Sequence, residues 1–158
     1  MHAIRRFQVE DAAAVCELAA TEPYAAQWSM ESYRRSPESG FEGWVAMHGD
    51  GRAKGFIVTR TISGEAEILN LAVAHACRRR GIADALFKEA LKSFSVAGVR
   101  RIFLEVRASN LAAIAFYRRH GFAEAGSRPG YYPATESGRS EDAVLMQKFV
   151  TGRNQLPT

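Results

Sequence analysis

The chain has 158 residues, 47% of them hydrophobic and 24% charged, with a net charge of +4; this is the profile of one ordinary globular domain, neither fibrous nor low in complexity. Cys16 and Cys77 are the two cysteines and stand in no metal-ligand spacing, which argues against a disulfide framework or a zinc site. No apolar run reaches membrane-spanning length, so a cytoplasmic protein with no membrane partner is expected, its mild basicity favouring acidic ligands.

In chain order, residues 3–8 are expected to form a strand anchored by Ile4 and Phe7. Glu10 and Asp11 open a helix through Ala20, with Ala12, Cys16 and Ala19 on one face and Cys16 as a small buried hydrophobe. Pro23 ends it, and Ser29 caps a short helix to about Arg35. Residues 44–47 and 55–58 flank a turn at 48–52 and read as a hairpin, and Ser63-Gly64 turns the chain again. Ile68, Leu69, Leu71 and Val73 then form a buried central strand.

After the turn HACRRRG the apolar period becomes helical, with Ile82, Leu86, Ala90 and Phe94 on one face. Gly98 leads into a strand in which Ile102, Leu104 and Val106 alternate with Phe103 and Glu105. Asn110 caps a helix whose apolar body is Leu111, Ala112, Ile114, Ala115 and Phe116, and Gly121 closes it. The last two strands flank a long loop over residues 127–140. One domain is expected over residues 1–150, with 151–158 as a flexible tail.

The strand, arginine and glycine turn, and helix around residues 68–94 carry the chemistry. Gly81 has no Cβ, and the first N–H groups of a helix have no partner within it. With Arg78, Arg79 and Arg80 they form an anion site suited to a pyrophosphate; the alternative is a solvated basic turn. Neither a P-loop nor a GxGxxG run is present.

Arg78-x-x-Gly81-x-Ala83 resembles the acetyl-coenzyme A motif of the GNAT N-acetyltransferases. The run LEVRASNLAAIAFYRRHG, residues 104–121, is similar to the same region of the RimI-type N-alpha-acetyltransferases, which modify the amino terminus of a ribosomal protein. Tyr131-Tyr132-Pro133, followed by Glu141-Asp142-Ala143 and Met146, is similar to that subgroup's carboxy-terminal hairpin. The resemblance implies a GNAT α/β fold: a mixed, mostly antiparallel sheet of about seven strands, about four helices, and a splay between two central parallel strands. It implies acetyl-CoA as co-substrate and no metal. The acceptor would be a protein or peptide amino terminus, a ribosomal protein foremost, with no nucleic acid required.

On the same resemblance, Leu71, Ala72 and Val73 supply backbone to the pantetheine arm, and Arg79, Arg80, Gly81, Ile82, Ala83 and Asp84 form the pyrophosphate turn. Asn110 would contact coenzyme A, cap its helix, or do both. Glu105 matches the family's proton acceptor, against the alternative of a strand carboxylate paired with Arg107 or Arg101; Glu67 ranks second as base. Tyr117 matches the proton donor, against a packing role. Tyr131 and Tyr132 match tyrosines that embrace the substrate's amino terminus, against a simple hydrophobic lid. Cys77 would permit an acetyl-cysteine route but has no evident histidine partner in sequence, and His75 and His120 read as surface or helix-end residues. Ala83, Gly130 and the lengthened stretch 134–139 depart from the subgroup's pattern. Two other readings are a GNAT acting on a small amine or a lysine side chain, and a non-catalytic module binding acyl-CoA or RNA.

Overall fold

A computed structural model describes residues 3–134 and 138–150. It begins with β1 (Ile4–Arg6), a 3-10 turn (Val9–Asp11), α1 (Ala12–Thr21) and α2 (Met30–Arg35). Next come β2 (Phe41–Met47), β3 (Ala53–Ile62) and β4 (Glu65–Val73). Then follow α3 (Ile82–Val96), β5 (Arg101–Arg107), α4 (Leu111–Arg119), β6 (Ala123–Tyr132) and β7 (Glu141–Phe149). The strands make one sheet in the order β1-β2-β3-β4-β5-β7-β6. Every neighbouring pair is antiparallel except β4 and β5, which are parallel.

Local chemistry sets these elements. Asp11 accepts two hydrogen bonds from Arg5, at 2.7 and 2.8 Å, and one from the Gln8 N–H at 2.9 Å, which ties β1 to the start of α1. Although burial opposes it, this set holds the Asp11 carboxyl below the usual range. Ser29 Oγ accepts from the Ser32 N–H at 3.1 Å and starts α2. Ser63 and Gly64 have φ of 50° and 81°, the conformation that lets a two-residue hairpin turn follow the twist of its strands.

Two apolar layers cover the sheet. On one face Ile82, Leu86, Phe87, Ala90 and Phe94 of α3 and Ile114, Phe116 and Tyr117 of α4 pack on Ile57, Ile68, Ile102 and Leu104. On the other, Val15, Leu18 and Ala19 of α1 and Tyr33 of α2 pack on Val45, Phe56 and Ala72. Each large side chain buried in this way contributes roughly 1.5–3 kcal/mol.

The feature that positions the site is a bulge in β4. Its register with β3 passes from Thr59↔Ile68 to Val58↔Asn70, which leaves Leu69 as an extra residue. A bulge bends its strand and resets the alternation of faces. Before it, Ala66 and Ile68 join the α3 and α4 layer; after it, Leu71 and Val73 take that side and Ala72 faces α1. Pairing between β4 and β5 ends at the same point, at Ile68↔Leu104. Each strand stays bonded to its other neighbour, β4 to β3 as far as Val73 and β5 to β7 as far as Arg107. The parallel pair therefore parts along its carboxy-terminal half, and the backbone there faces a gap.

Several expectations need correction. The first part of the loop anticipated over 127–140, residues 127–132, belongs to β6, an edge strand of the described sheet, which pairs with β7 through two register shifts. Pro129 and Gly130 read as loop residues, yet an edge strand tolerates proline and bulges because only one side needs its hydrogen bonds. Leu111 is 72% exposed rather than part of the helix's apolar body. Cys16 is only partly buried, with Sγ 3.7 Å from the Trp28 carbonyl. Cys77 is buried and has a histidine neighbour after all, His48 Nε2 at 3.7 Å. Leu69, Leu71 and Val73 are half-buried, because the central strand alternates rather than running buried throughout. Residues 135–137 of the lengthened stretch, and the tail 151–158, lie outside the described residues.

Candidate active site

Two clefts open on the gap. One, of about 370 Å³, is lined by Leu71, Ala72 and Val73 on β4, Arg79, Gly81, Ile82, Ala83 and Asp84 at the start of α3, and Asn110 and Tyr117. The other, of about 360 Å³, is lined by Leu69 to Leu71 on β4, Leu104 to Arg107 on β5, and Tyr132 on β6. Tyr24, Ala25, Leu71, Asn110, Ala113 and Tyr117 line both. The clefts therefore meet where the strands part, and a ligand in each would bring its reacting end to the same place.

The first cleft has the chemistry for an extended, amide-bearing anion. The parted strand supplies unpaired backbone at one end. At the other, Gly81 caps α3 with φ of +80°, a left-handed conformation open to glycine at little cost. Arg79 also has positive φ, +60°, and the turn leads into the mouth of α3, where the helix dipole favours an anion. Arg78 does not extend this basic surface. It pairs with the buried Glu22 and donates from Nε to the Val73 carbonyl at 3.4 Å, fastening the turn to the end of β4 and to the segment before α2. Asp84 accepts from His120 Nε2 at 2.8 Å, so its carboxylate is engaged at the helix start. Asn110 Oδ1 accepts from the Ala113 N–H at 3.2 Å; the side chain caps α4 while lining both clefts.

In the second cleft Glu105 is largely covered, its side chain 19% exposed. Its ion-pair partner is neither Arg107 nor Arg101 but Arg128 on β6, with Nε 3.1 Å from Glu105 Oε1. Arg107 instead lies over the Tyr132 ring, 4.3 Å from its centre, and reaches Glu141 at 3.5 Å. Burial first, and then the neighbouring Glu105 charge, push the Tyr132 hydroxyl above the usual tyrosine range. Tyr131 is 49% exposed and packs edge-on against Tyr132, with ring centres 5.1 Å apart. Of the two tyrosines, Tyr132 lines the cleft and Tyr131 stands at its rim.

Tyr117 is buried between Phe116 and Phe122, at centre distances of 5.3 and 5.4 Å. Burial pushes its hydroxyl well above the ordinary tyrosine value. Among the described residues no side chain or backbone group hydrogen-bonds to that hydroxyl. Glu67 and Glu65 are not at the gap. They pair with Arg60 at 2.8 Å and Arg101 at 3.2 Å in a separate recess, where β4 and β5 are still joined.

Sequence reading missed Tyr24. Its hydroxyl lies 3.2 Å from Ser109 Oγ, so it spans from the α1 side of the gap to the β5 side. The segment that carries it is held by Asn70, which contacts the backbone of Ala26 at 3.1 and 3.2 Å and donates to the Tyr33 hydroxyl at 3.1 Å. Gln27 adds a bond to the Ala19 carbonyl at 2.7 Å. An asparagine within an otherwise apolar strand, Ile68 to Val73, was the available signal.

Among the described residues no helix is long and apolar enough to cross a membrane, and no group of His, Cys, Asp and Glu could hold a metal ion.

Comparison with known proteins places this architecture. The chain is 42% identical over 97 residues to the [ribosomal protein bS18]-alanine N-acetyltransferase of Escherichia coli strain K12, covering 61% of this chain and 64% of that protein. The match thus spans just under two thirds of the relative's length. The crystal structure of the Escherichia coli ribosomal-protein-S18-alanine N-acetyltransferase superposes with a TM-score of 0.82 and 31% identity, covering 99% of each chain. Arabidopsis thaliana NAA60, solved with a bisubstrate analogue, superposes with a TM-score of 0.82 and 25% identity, covering 96% of this chain and 99% of that one. Residues 10–122 match the family described as Acetyltransferase (GNAT). On that match, and on a parted parallel strand pair that ends at a glycine-capped helix, the chain belongs to the GNAT acetyltransferase family, whose acetyl donor is acetyl-CoA.

Proposed function

We propose that the protein transfers the acetyl group of acetyl-CoA to the α-amine at a protein amino terminus, with a ribosomal protein as target. The observation that carries this reading is the meeting of two clefts at one set of residues. It allows donor and acceptor to be held at once, so the acetyl group can pass directly between them without stopping on the protein. The bS18-alanine activity named for the Escherichia coli relative supports an α-amine acceptor.

In this reading the donor lies in the glycine-turn cleft. Arg79 and the N–H groups of residues 81–84 hold its diphosphate, Arg80 lining a separate recess beside α1, while Leu71, Ala72 and Val73 pair with its amides. The acceptor lies in the other cleft, between Tyr132 and Glu105, with Tyr131 at the rim and Tyr24 closing the far side. An α-amine has a pKa near 8 and is largely ammonium at neutral pH, so it must lose a proton before nitrogen can attack. Glu105 accepts that proton. As the new N–C bond forms and the C–S bond breaks, the sulfur leaves with the bonding pair. Tyr117, kept protonated by burial, donates its proton to that sulfur. The amide nitrogen's surplus proton returns the tyrosine to its neutral form through solvent. Cys77 has no part in this direct route: it borders the glycine-turn cleft but not the acceptor cleft, and its thiol lies beside His48.

Mass spectrometry of a peptide panel incubated with acetyl-CoA tests the reading. Peptides with a free α-amine and an amino-terminal alanine are expected to gain one acetyl group at that amine, in preference to a lysine ε-amine or a polyamine. Preferential modification of the ε-amine or the polyamine would contradict an amino-terminal substrate. Binding of acetyl-CoA or RNA without release of free thiol would contradict catalysis altogether.

A further inference from the structure

We propose that Arg128 occupies, on Glu105, the position that the substrate's ammonium must take, so that peptide binding has to displace it. The inference deepens the proposed function and rests on its assignment of Glu105 as base.

β7 lies between β5 and β6, so Arg128 starts about 10 Å of sheet away from β5. The register explains how it crosses. Ala143 of β7 is paired with Arg107 on one side and Arg128 on the other, and its methyl group leaves room for a long side chain to pass above it. The guanidinium ends with Nε 3.1 Å from Glu105 Oε1, and its carbon lies 5.3 Å from the Tyr131 ring centre. One flexible cation thus links the candidate base to the tyrosine at the rim of the acceptor cleft. The strand neighbour Arg107 is committed elsewhere, to the Tyr132 ring and Glu141.

To be deprotonated, an α-ammonium must approach the same carboxylate. Two cations on one carboxylate repel each other, so the guanidinium has to give way. It is able to: its side chain is 59% exposed and can turn toward solvent while staying beside Tyr131. Until then it neutralises a mostly covered carboxylate and fixes its direction. Peptide binding in the natural protein is therefore a partner exchange, weakened by whatever the internal ion pair is worth. For a pair with one exposed member that is a factor of about two to five in affinity.

The test is the peptide KM of Arg128→Gln. It is expected to fall about two- to five-fold, with the KM for acetyl-CoA unchanged, because the displaced competitor is gone. Arg128→Lys keeps a cation but not the planar fork and is expected to fall between the two. In a Glu105→Gln background, the gain in peptide affinity from Arg128→Gln, measured by calorimetry, is expected to shrink, because no charged carboxylate remains to compete for and only repulsion between the two cations is relieved. An unchanged or raised peptide KM in Arg128→Gln, with thermal unfolding unaltered, would overturn the proposal, as would a gain undiminished beside Glu105→Gln. If glutamine disturbs the edge strand, the lysine variant carries the same test, a peptide KM at or above the natural value being the contrary result. The base assignment is judged separately, by the turnover of Glu105→Gln alone.

Discussion

Glu105→Gln is expected to lower turnover by about 10²- to 10⁴-fold, the range a positioned general base contributes, while acetyl-CoA still binds. The separation follows from where the residue lies. Glu105 lines only the acceptor cleft and is absent from the lining of the cleft that ends at Gly81. Glutamine keeps the shape and can still accept a hydrogen bond from Arg128, so the sheet should fold as before, but a neutral amide cannot take up the ammonium proton. Calorimetry with acetyl-CoA and steady-state rates on a peptide measure the two properties independently. Wild-type turnover would remove Glu105 from the reaction. Loss of acetyl-CoA binding together with turnover would mean that the side chain serves the structure of the gap instead.

Tyr117→Phe is expected to lower turnover by a comparable factor, and it separates a proton donor from a packing aromatic. Phenylalanine retains the contacts with Phe116 and Phe122 and leaves no cavity, so thermal stability should change by less than about 1.5 kcal/mol. If packing were the whole role of Tyr117, turnover would survive. The sign of its pKa shift gives a second check. Burial disfavours the tyrosinate and raises the value above that of a free tyrosine, so the donor keeps its proton throughout the working range. The rate should therefore rise with pH as the α-amine loses its proton near pH 8, with no fall assignable to Tyr117 below about pH 10. A descending limb between pH 8 and 10 that disappears in Tyr117→Phe would contradict this.

The parts of the site that were legible in sequence are those set by short-range rules. The passage from strand to helix across Gly81 shows as a change of apolar period around a glycine, and both changes are dictated locally. The caps Ser29 and Asn110 announce themselves because an uncapped helix start leaves N–H groups unsatisfied. The sheet edge was harder. Pro129 and Gly130 carry the chemistry of a loop, and only the pairing of Arg128 and Tyr132 on either side of them with β7 keeps them within a strand. The partner of Glu105 was not legible either, because Arg128 meets it through the register of two strand pairs that share Ala143. Tyr24 and Ser109, 85 positions apart, meet only because Asn70 fixes the segment before α2 against β4. The bulge at Leu69 had no local mark beyond the polar Asn70 beside it, yet it coincides with the end of β4 and β5 pairing and so places the gap.

Amide hydrogen exchange with and without acetyl-CoA bears on that gap most directly. Added acetyl-CoA should slow exchange at residues 71–73 and 79–84, on the two sides of the glycine-turn cleft, and leave the joined stretch of β4 and β5 at residues 65–68 and 101–104 as protected as before. Slowed exchange confined to other parts of the sheet, or none at either segment at saturating acetyl-CoA, would show that the parted strands are not where the donor binds.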